Sequence, residues 1–208
     1  ISDASTKKSC SMSSSTSKTK KQLIDVAREL FASRGRHNIT MNDIAEASKK
    51  GRRTLYTYFK SKDEVYKAVI ENEVNLVIEA LEENAKKTME AFEKLKNHIF
   101  IHLDSIKNSV TRNGTLRADF FRDIYEVERS RRRMDVAELK LIKNILDEGL
   151  KSGNFKEMDS EMLSTMILYS LRGLEIPYIR QNLSSEFDKN KHEIVEFVFR
   201  GIWIDKPE

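Results

Sequence analysis

The chain has 208 residues, 39% hydrophobic and 34% charged, enough for one mid-sized domain or a small domain joined to a larger one. Seven Gly and two Pro leave few turns and few helix breaks, which excludes a sandwich or barrel as the first expectation and favours an all-α fold. Cys10 is the single cysteine, so no intramolecular disulfide forms, and no apolar run approaches the roughly 18–20 residues of a membrane span; the chain fits a reducing, cytoplasmic setting with no membrane partner.

Residues 1–16 are Ser-, Thr- and Lys-rich without an apolar stretch, so they read as a disordered tail and not as a signal peptide. From 17 to 34, Leu23, Ala27, Leu30 and Phe31 share one face of a predicted amphipathic helix, which Gly35 stops. Thr40 opens a short helix, with Asp43 placed as its capping partner and Met41, Ile44 and Ala45 on the apolar side. Lys49-Lys50-Gly51 is the connector to a second short helix over 52–59, where Leu55 and Phe59 at i,i+4 point inward. Ser61-Lys62-Asp63-Glu64 is a capping box, and the helix it opens runs to about Asn84. Residues 17–67 hold thirteen Lys/Arg against six acids, a local charge of +7; residues 1–16 add +1, so the remainder carries −4. A basic N-terminal quarter on an acidic body is the electrostatic footprint of a nucleic-acid-binding module joined to something else.

Beyond it, helices are predicted over 88–107, 117–125 and 130–151, with Asn113-Gly114 as a loop and Ser152-Gly153-Asn154 as a break. An apolar helix over 162–180 should be kinked or ended by Pro177, and a last helix runs from Lys189 to about Ile204. The expected domains are thus the tail at 1–16, a three-helix DNA-binding domain at 17–62 and a larger helical domain at 63–208.

Two short helices with a tight connector, followed by a capped long helix, make a helix-turn-helix whose second member can enter the major groove. That helix exposes Arg52, Arg53, Thr54, Tyr56, Thr57 and Tyr58, with Lys60 and Lys62 just beyond. Arg reads guanine O6/N7, Thr meets bases or the thymine methyl, and Tyr and Lys reach phosphates. Thr40-Met41-Asn42-Asp43-Ile44-Ala45 and Thr54-Leu55-Tyr56-Thr57-Tyr58-Phe59-Lys60-Ser61-Lys62-Asp63-Glu64 resemble the DNA-binding signature of TetR-family repressors. The resemblance covers residues 17–70 in detail. It implies phosphate contacts by Tyr56, Tyr58 and Lys62, and phosphate or base contacts by Thr40, Arg52 and Arg53; Asn42, Lys50, Thr54, Thr57 and Lys60 complete the candidate DNA-binding set. The family's turn usually reads Gly, an apolar residue, then Ser, whereas this chain has Lys49, Lys50 and Gly51. Such a departure points to a reshaped turn or an added phosphate contact.

A symmetric operator requires a two-fold protein, and a final helix apolar on nearly all sides calls for a partner chain, so a homodimer is expected. Met162, Leu163, Ile194, Phe197, Val198 and Ile202 are the candidate interface, matching the resembled family's four-helix bundle. The resemblance further implies a small-molecule effector of unknown identity, enclosed by the middle helices, whose binding alters the spacing of the two reading heads. Candidate lining residues are Phe92, Phe100, His102, Phe120, Phe121, Tyr125, Met134, Met166 and Tyr169. Such a protein is a ligand-released repressor; it is no enzyme and needs no cofactor. Two other readings stand beside it. His98 and His102 at i,i+4 could serve a helical metalloprotein or metalloenzyme, although no third ligand or HExxH pattern accompanies them. A DNA-binding protein that senses no ligand is the other. Arg131-Arg132-Arg133 reads as a solvated stretch or as a contact for an anionic ligand.

Overall fold

The computed structural model describes the backbone of residues 5–112, 124–179, 191–193, 195, 197 and 199–202, and their side chains from residue 18 onward except 124–128 and 177. The fold is all-α. The described residues fall into two compact units, one holding 5–72 with 112 and 124–127 and the other 73–111 with those from 128 on. The division falls within a helix, ten residues past the boundary expected at 62/63.

In the first unit, α1 (Ser5–Arg34) is followed by a 3-10 turn (Arg36–Asn38), α2 (Met41–Ala47), α3 (Arg52–Tyr58) and the start of α4 (Lys62–Ala85). Leu23, Ala27 and Phe31 of α1, Ile44 of α2, Leu55 of α3 and Val65 and Val69 of α4 are buried together, the stripe that the 3.6-residue period requires. Gly35, at φ 78°, lets the chain leave α1 in a backbone conformation that a side chain would strain. α1 begins at Ser5, upstream of the start expected at residue 17. No Gly or Pro occurs between residues 1 and 34, and Ser, Thr and Lys do not stop a helix that is already nucleated downstream.

The second unit contains the rest of α4, α5 (Ala91–Arg112) up to Thr111, α6 (Ile124–Lys151) from Glu128 on, α7 (Ser160–Ile179) and helical residues between 191 and 199. Its main core joins Leu95, Ile99 and Leu103 of α5 to Ile142, Ile145 and Leu146 of α6 and Ile167, Leu168 and Leu171 of α7. A smaller cluster gathers Val74, Val77 and Leu81 of α4 around Met134 of α6. The expected break between 125 and 130 is absent, because α6 runs without interruption from Ile124 and no Gly or Pro interrupts it there; most of the separate helix expected over 117–125 lies outside the described residues. Pro177 does not end α7 at Ile176; the helix closes at Ile179, with the proline in its last turn, where the missing N–H leaves the Gly173 carbonyl without that helical donor. Gly153, at φ 69°, makes the turn after α6, and the Asn154 and Phe155 amides donate to the Gly149 carbonyl at 2.9 and 3.2 Å.

Candidate nucleic-acid interface

Thr40 is the N-cap of α2. Its hydroxyl accepts the Asp43 amide at 3.3 Å and donates to Asp43 Oδ2 at 2.6 Å, while the Thr40 amide donates to the same oxygen at 2.7 Å. The Thr40 side-chain bond, then the backbone one, holds the Asp43 carboxyl below its usual range. Both of Thr40's donors are therefore used by the cap, and a phosphate oxygen would have to displace Asp43 to gain one. The Gln22 side chain of α1 donates to the Ser48 carbonyl at 3.3 Å and ties down the far end of α2.

The connector is a Schellman closure. The Lys50 amide donates to the Ala45 carbonyl at 3.1 Å and the Lys49 amide to the Glu46 carbonyl at 3.0 Å. This pattern puts the first residue past the cap in the left-handed region, and Lys49 sits there at φ 54°, the one non-glycine with positive φ among the described residues. Lys49 thus holds a conformation that glycine adopts freely, at a cost of about 1–2 kcal/mol. Gly51 then stands at the N-cap of α3 with no side chain to cap it.

On α3, Leu55 and Phe59 are buried, while Arg52, Arg53, Tyr56 and Thr57 are exposed and Thr54 and Tyr58 half-buried. The Thr57 hydroxyl donates to the Arg53 carbonyl at 2.9 Å, leaving its methyl as the group free to meet a thymine. Asn42 and Lys60 are exposed and Lys50 half-buried. Lys62 is placed differently from an exposed phosphate reader: its ammonium donates to the Arg36 carbonyl at 2.9 Å. Arg36 also pairs with Asp63 at 2.8 Å and lies over the Tyr66 ring at 4.1 Å. Residues at the start of α4 thus grip the turn that precedes α2, a role the sequence did not reveal because it joins residues 26 and 27 positions apart.

In the second unit the histidine pair lies in a buried ionic network. Glu138 Oε1 of α6 meets His98 Nε2 at 3.1 Å and His102 Nδ1 at 2.7 Å; all three side chains are sealed from solvent. His102 Nε2 lies 3.3 Å from Glu175 of α7, off hydrogen-bond alignment, and Arg131 of α6 pairs with Glu175. Arg172 pairs with Asp135 at 2.7 Å. Burial pushes the His102 imidazole down, but its bond to Glu138 and the nearby Glu175 carboxylate prevail and raise it to about 9. Burial pushes Glu138 up, yet His102 and His98 bring it to about 2. Glu175 is also lowered: burial works against the shift, and the neighbouring His102 and Arg131 overcome it. Asp135 is raised, since burial outweighs Arg172 and Arg131. Among the described residues no group of three or more His, Cys, Asp or Glu is arranged to hold a metal ion. Of the basic triplet, Arg132 and Arg133 are exposed while Arg131 is committed to Glu175.

Among the candidate effector-lining residues, Phe92, Phe100 and His102 are buried on α5 and Met134 on α6. Met166 and Tyr169 do not join them; they are 58% and 63% exposed, in line with Met162 at 64% on one face of α7. The i, i+4, i+7 spacing puts these three on the side opposite Ile167, Leu168 and Leu171, which fill the core. Tyr125 lies in α6, but its side chain, like Phe120 and Phe121, is outside the described residues. Of the interface candidates, Phe197 is 79% exposed, Leu163 and Ile202 are half-buried against the core, and the Ile194 and Val198 side chains are outside the described set. No helix in the described residues is long and apolar enough to cross a membrane.

A capped α2, a tight turn and an α3 that turns Leu55 and Phe59 inward and arginines outward define a helix-turn-helix DNA-binding transcriptional regulator. Residues 23–69 match the model of the bacterial regulatory proteins of the tetR family. It is similar to the fatty acid metabolism regulator protein of Bacillus subtilis, 24% identical over 87% of this chain and 94% of that one. Among solved structures, a transcriptional regulator from Cytophaga hutchinsonii superposes with a TM-score of 0.73 at 20% identity, covering 88% of this chain and 98% of that one. The transcriptional regulator FadR from Bacillus subtilis, solved in complex with stearoyl-CoA, gives a TM-score of 0.64 at 24% identity, with coverages of 85% and 95%.

Proposed function

We propose that the chain is a cytoplasmic, homodimeric repressor that holds operator DNA through α3 and leaves it when a small molecule binds the second unit. The carrying observation is the exposed run Arg52, Arg53, Tyr56 and Thr57 above the buried pair Leu55 and Phe59. Arg52 and Arg53 stand at the N-terminal end of the recognition helix, where base edges are read. Tyr56, Tyr58, Lys50 and Lys60 take phosphates; Asn42 and Thr54 flank them. Thr40 and Lys62 position the reading head through the cap and the Arg36 carbonyl, and enter the interface by exchanging those partners.

The dimer forms through Met162, Met166 and Tyr169 of α7 with Phe197, an exposed apolar stripe that a second copy covers. Phe92, Phe100 and Met134 are the apolar part of the effector site. His102 is occupied by Glu138, so an effector that uses it must compete with that bond. Similarity to a regulator solved with stearoyl-CoA makes a long-chain acyl-CoA the first effector to try.

Titration of the protein onto DNA from upstream of its own coding sequence tests the reading. Sequence-specific, salt-sensitive binding that stearoyl-CoA reverses is expected. Equal affinity for upstream and scrambled duplexes would overturn operator recognition. Specific binding that stearoyl-CoA leaves intact would overturn the acyl-CoA assignment only.

A further inference from the structure

We infer that Lys49, outside the residues assigned above to the interface, is a phosphate-contacting residue of the turn between α2 and α3. The inference rests on the DNA-binding reading. Its backbone lies at φ 54°, a region that glycine occupies without strain and lysine does not. Both hydrogen bonds that close the turn come from main-chain amides, Lys49 to Glu46 and Lys50 to Ala45, so a glycine would keep them and relieve the strain. The side chain contributes nothing visible to the fold: it is exposed, and its ammonium has no ion-pair or hydrogen-bond partner among the described residues. What the side chain does bring is a cation on a four-carbon stem, three and four residues before Arg52 and Arg53 and at the end of α3 that approaches the groove. Backbone strain that serves no contact among the described residues is a mark of a functional position. A lysine ammonium in a helix-turn-helix turn has the reach and charge for a phosphate oxygen of the operator backbone, a contact that adds affinity without sequence information.

The test is fluorescence-anisotropy titration of wild type, Lys49→Gly and Lys49→Arg onto the upstream duplex and a scrambled duplex across a salt series, with a thermal melt of each protein. Lys49→Gly should melt about 2–4 °C higher than wild type. It should also bind both duplexes about tenfold more weakly, with the slope of log affinity against log salt flattened by about 2 per dimer. Lys49→Arg should keep affinity and slope. A structural role cannot produce a firmer fold and weaker DNA binding together. Unchanged affinity and slope in Lys49→Gly, or weaker binding with an unchanged slope, overturns the inference while leaving the DNA-binding reading intact. Wild-type protein that binds neither duplex overturns that reading and the inference with it.

Discussion

Leu55 carries α3 from beneath. It is fully buried among Ile44 of α2, Phe31 of α1 and Val65 and Val69 of α4, and a two-turn helix has little stability of its own. Leu55→Ala should destabilise the protein by about 2–5 kcal/mol and remove specific DNA binding, read by urea unfolding and gel shift; an unaltered unfolding midpoint would deny the anchor. Gly149 illustrates a different constraint. A Cβ there would meet the Phe155 ring at 2.1 Å, and that ring is buried in the core. Gly149→Ala should cost about 1–3 kcal/mol in the same unfolding assay. Such residue-level effects are only partly legible in sequence. The inward pair Leu55 and Phe59 follows from spacing alone, as does the Thr40–Asp43 cap. The grip of Arg36 by Lys62, Asp63 and Tyr66 does not, because a lysine beside a capping box reads as a solvent-exposed cation.

Helices α5, α6 and α7 are joined by charge as well as by apolar packing. His98 and His102 on α5, Arg131, Asp135 and Glu138 on α6, and Arg172 and Glu175 on α7 form the buried network. His102 is raised from 6.5 to about 9 on folding, so its stabilisation is complete below pH 6.5 and is lost as pH rises through about 9. Glu138 goes the other way, from 4.5 to about 2: its contribution is complete above pH 4.5 and fades as pH falls through about 2. The thermal midpoint should therefore fall between pH 6.5 and 9, and His102→Gln should flatten that decline while lowering stability at pH 6 by about 3–5 kcal/mol. A midpoint constant from pH 6.5 to 9 in the wild type would contradict a charged His102. The pairing escaped sequence reading because Glu138 lies 36 and 40 positions from the two histidines. A signal was nevertheless present: Arg131, Asp135 and Glu138 repeat at i, i+4 and i+7, a polar stripe on a helix whose other face enters the core.

For the whole molecule, the all-α architecture and helix order follow from apolar periodicity and the scarcity of Gly and Pro. The Ser-rich start and the uninterrupted α6 were less legible, since composition describes polarity, not where a helix stops. Met166 and Tyr169 show a related limit: an apolar helix does not reveal which of its faces meets its own core and which a second chain. Their exposure beside Met162 supports dimerisation through this face. Tyr169→Glu should shift the protein from dimer to monomer in sedimentation and weaken operator binding at least tenfold while leaving helix content unchanged; a stable dimer in that variant would place the interface elsewhere.

Hydroxyl-radical footprinting of the upstream duplex tests the central claim most directly. Two α3 helices related by a two-fold axis should protect two matching backbone patches separated by about 10–10.5 base pairs or a multiple of that, with Arg53→Ala blurring the boundary between operator and flanking DNA. Uniform protection along the duplex, or one unpaired patch, would contradict a symmetric pair of reading heads.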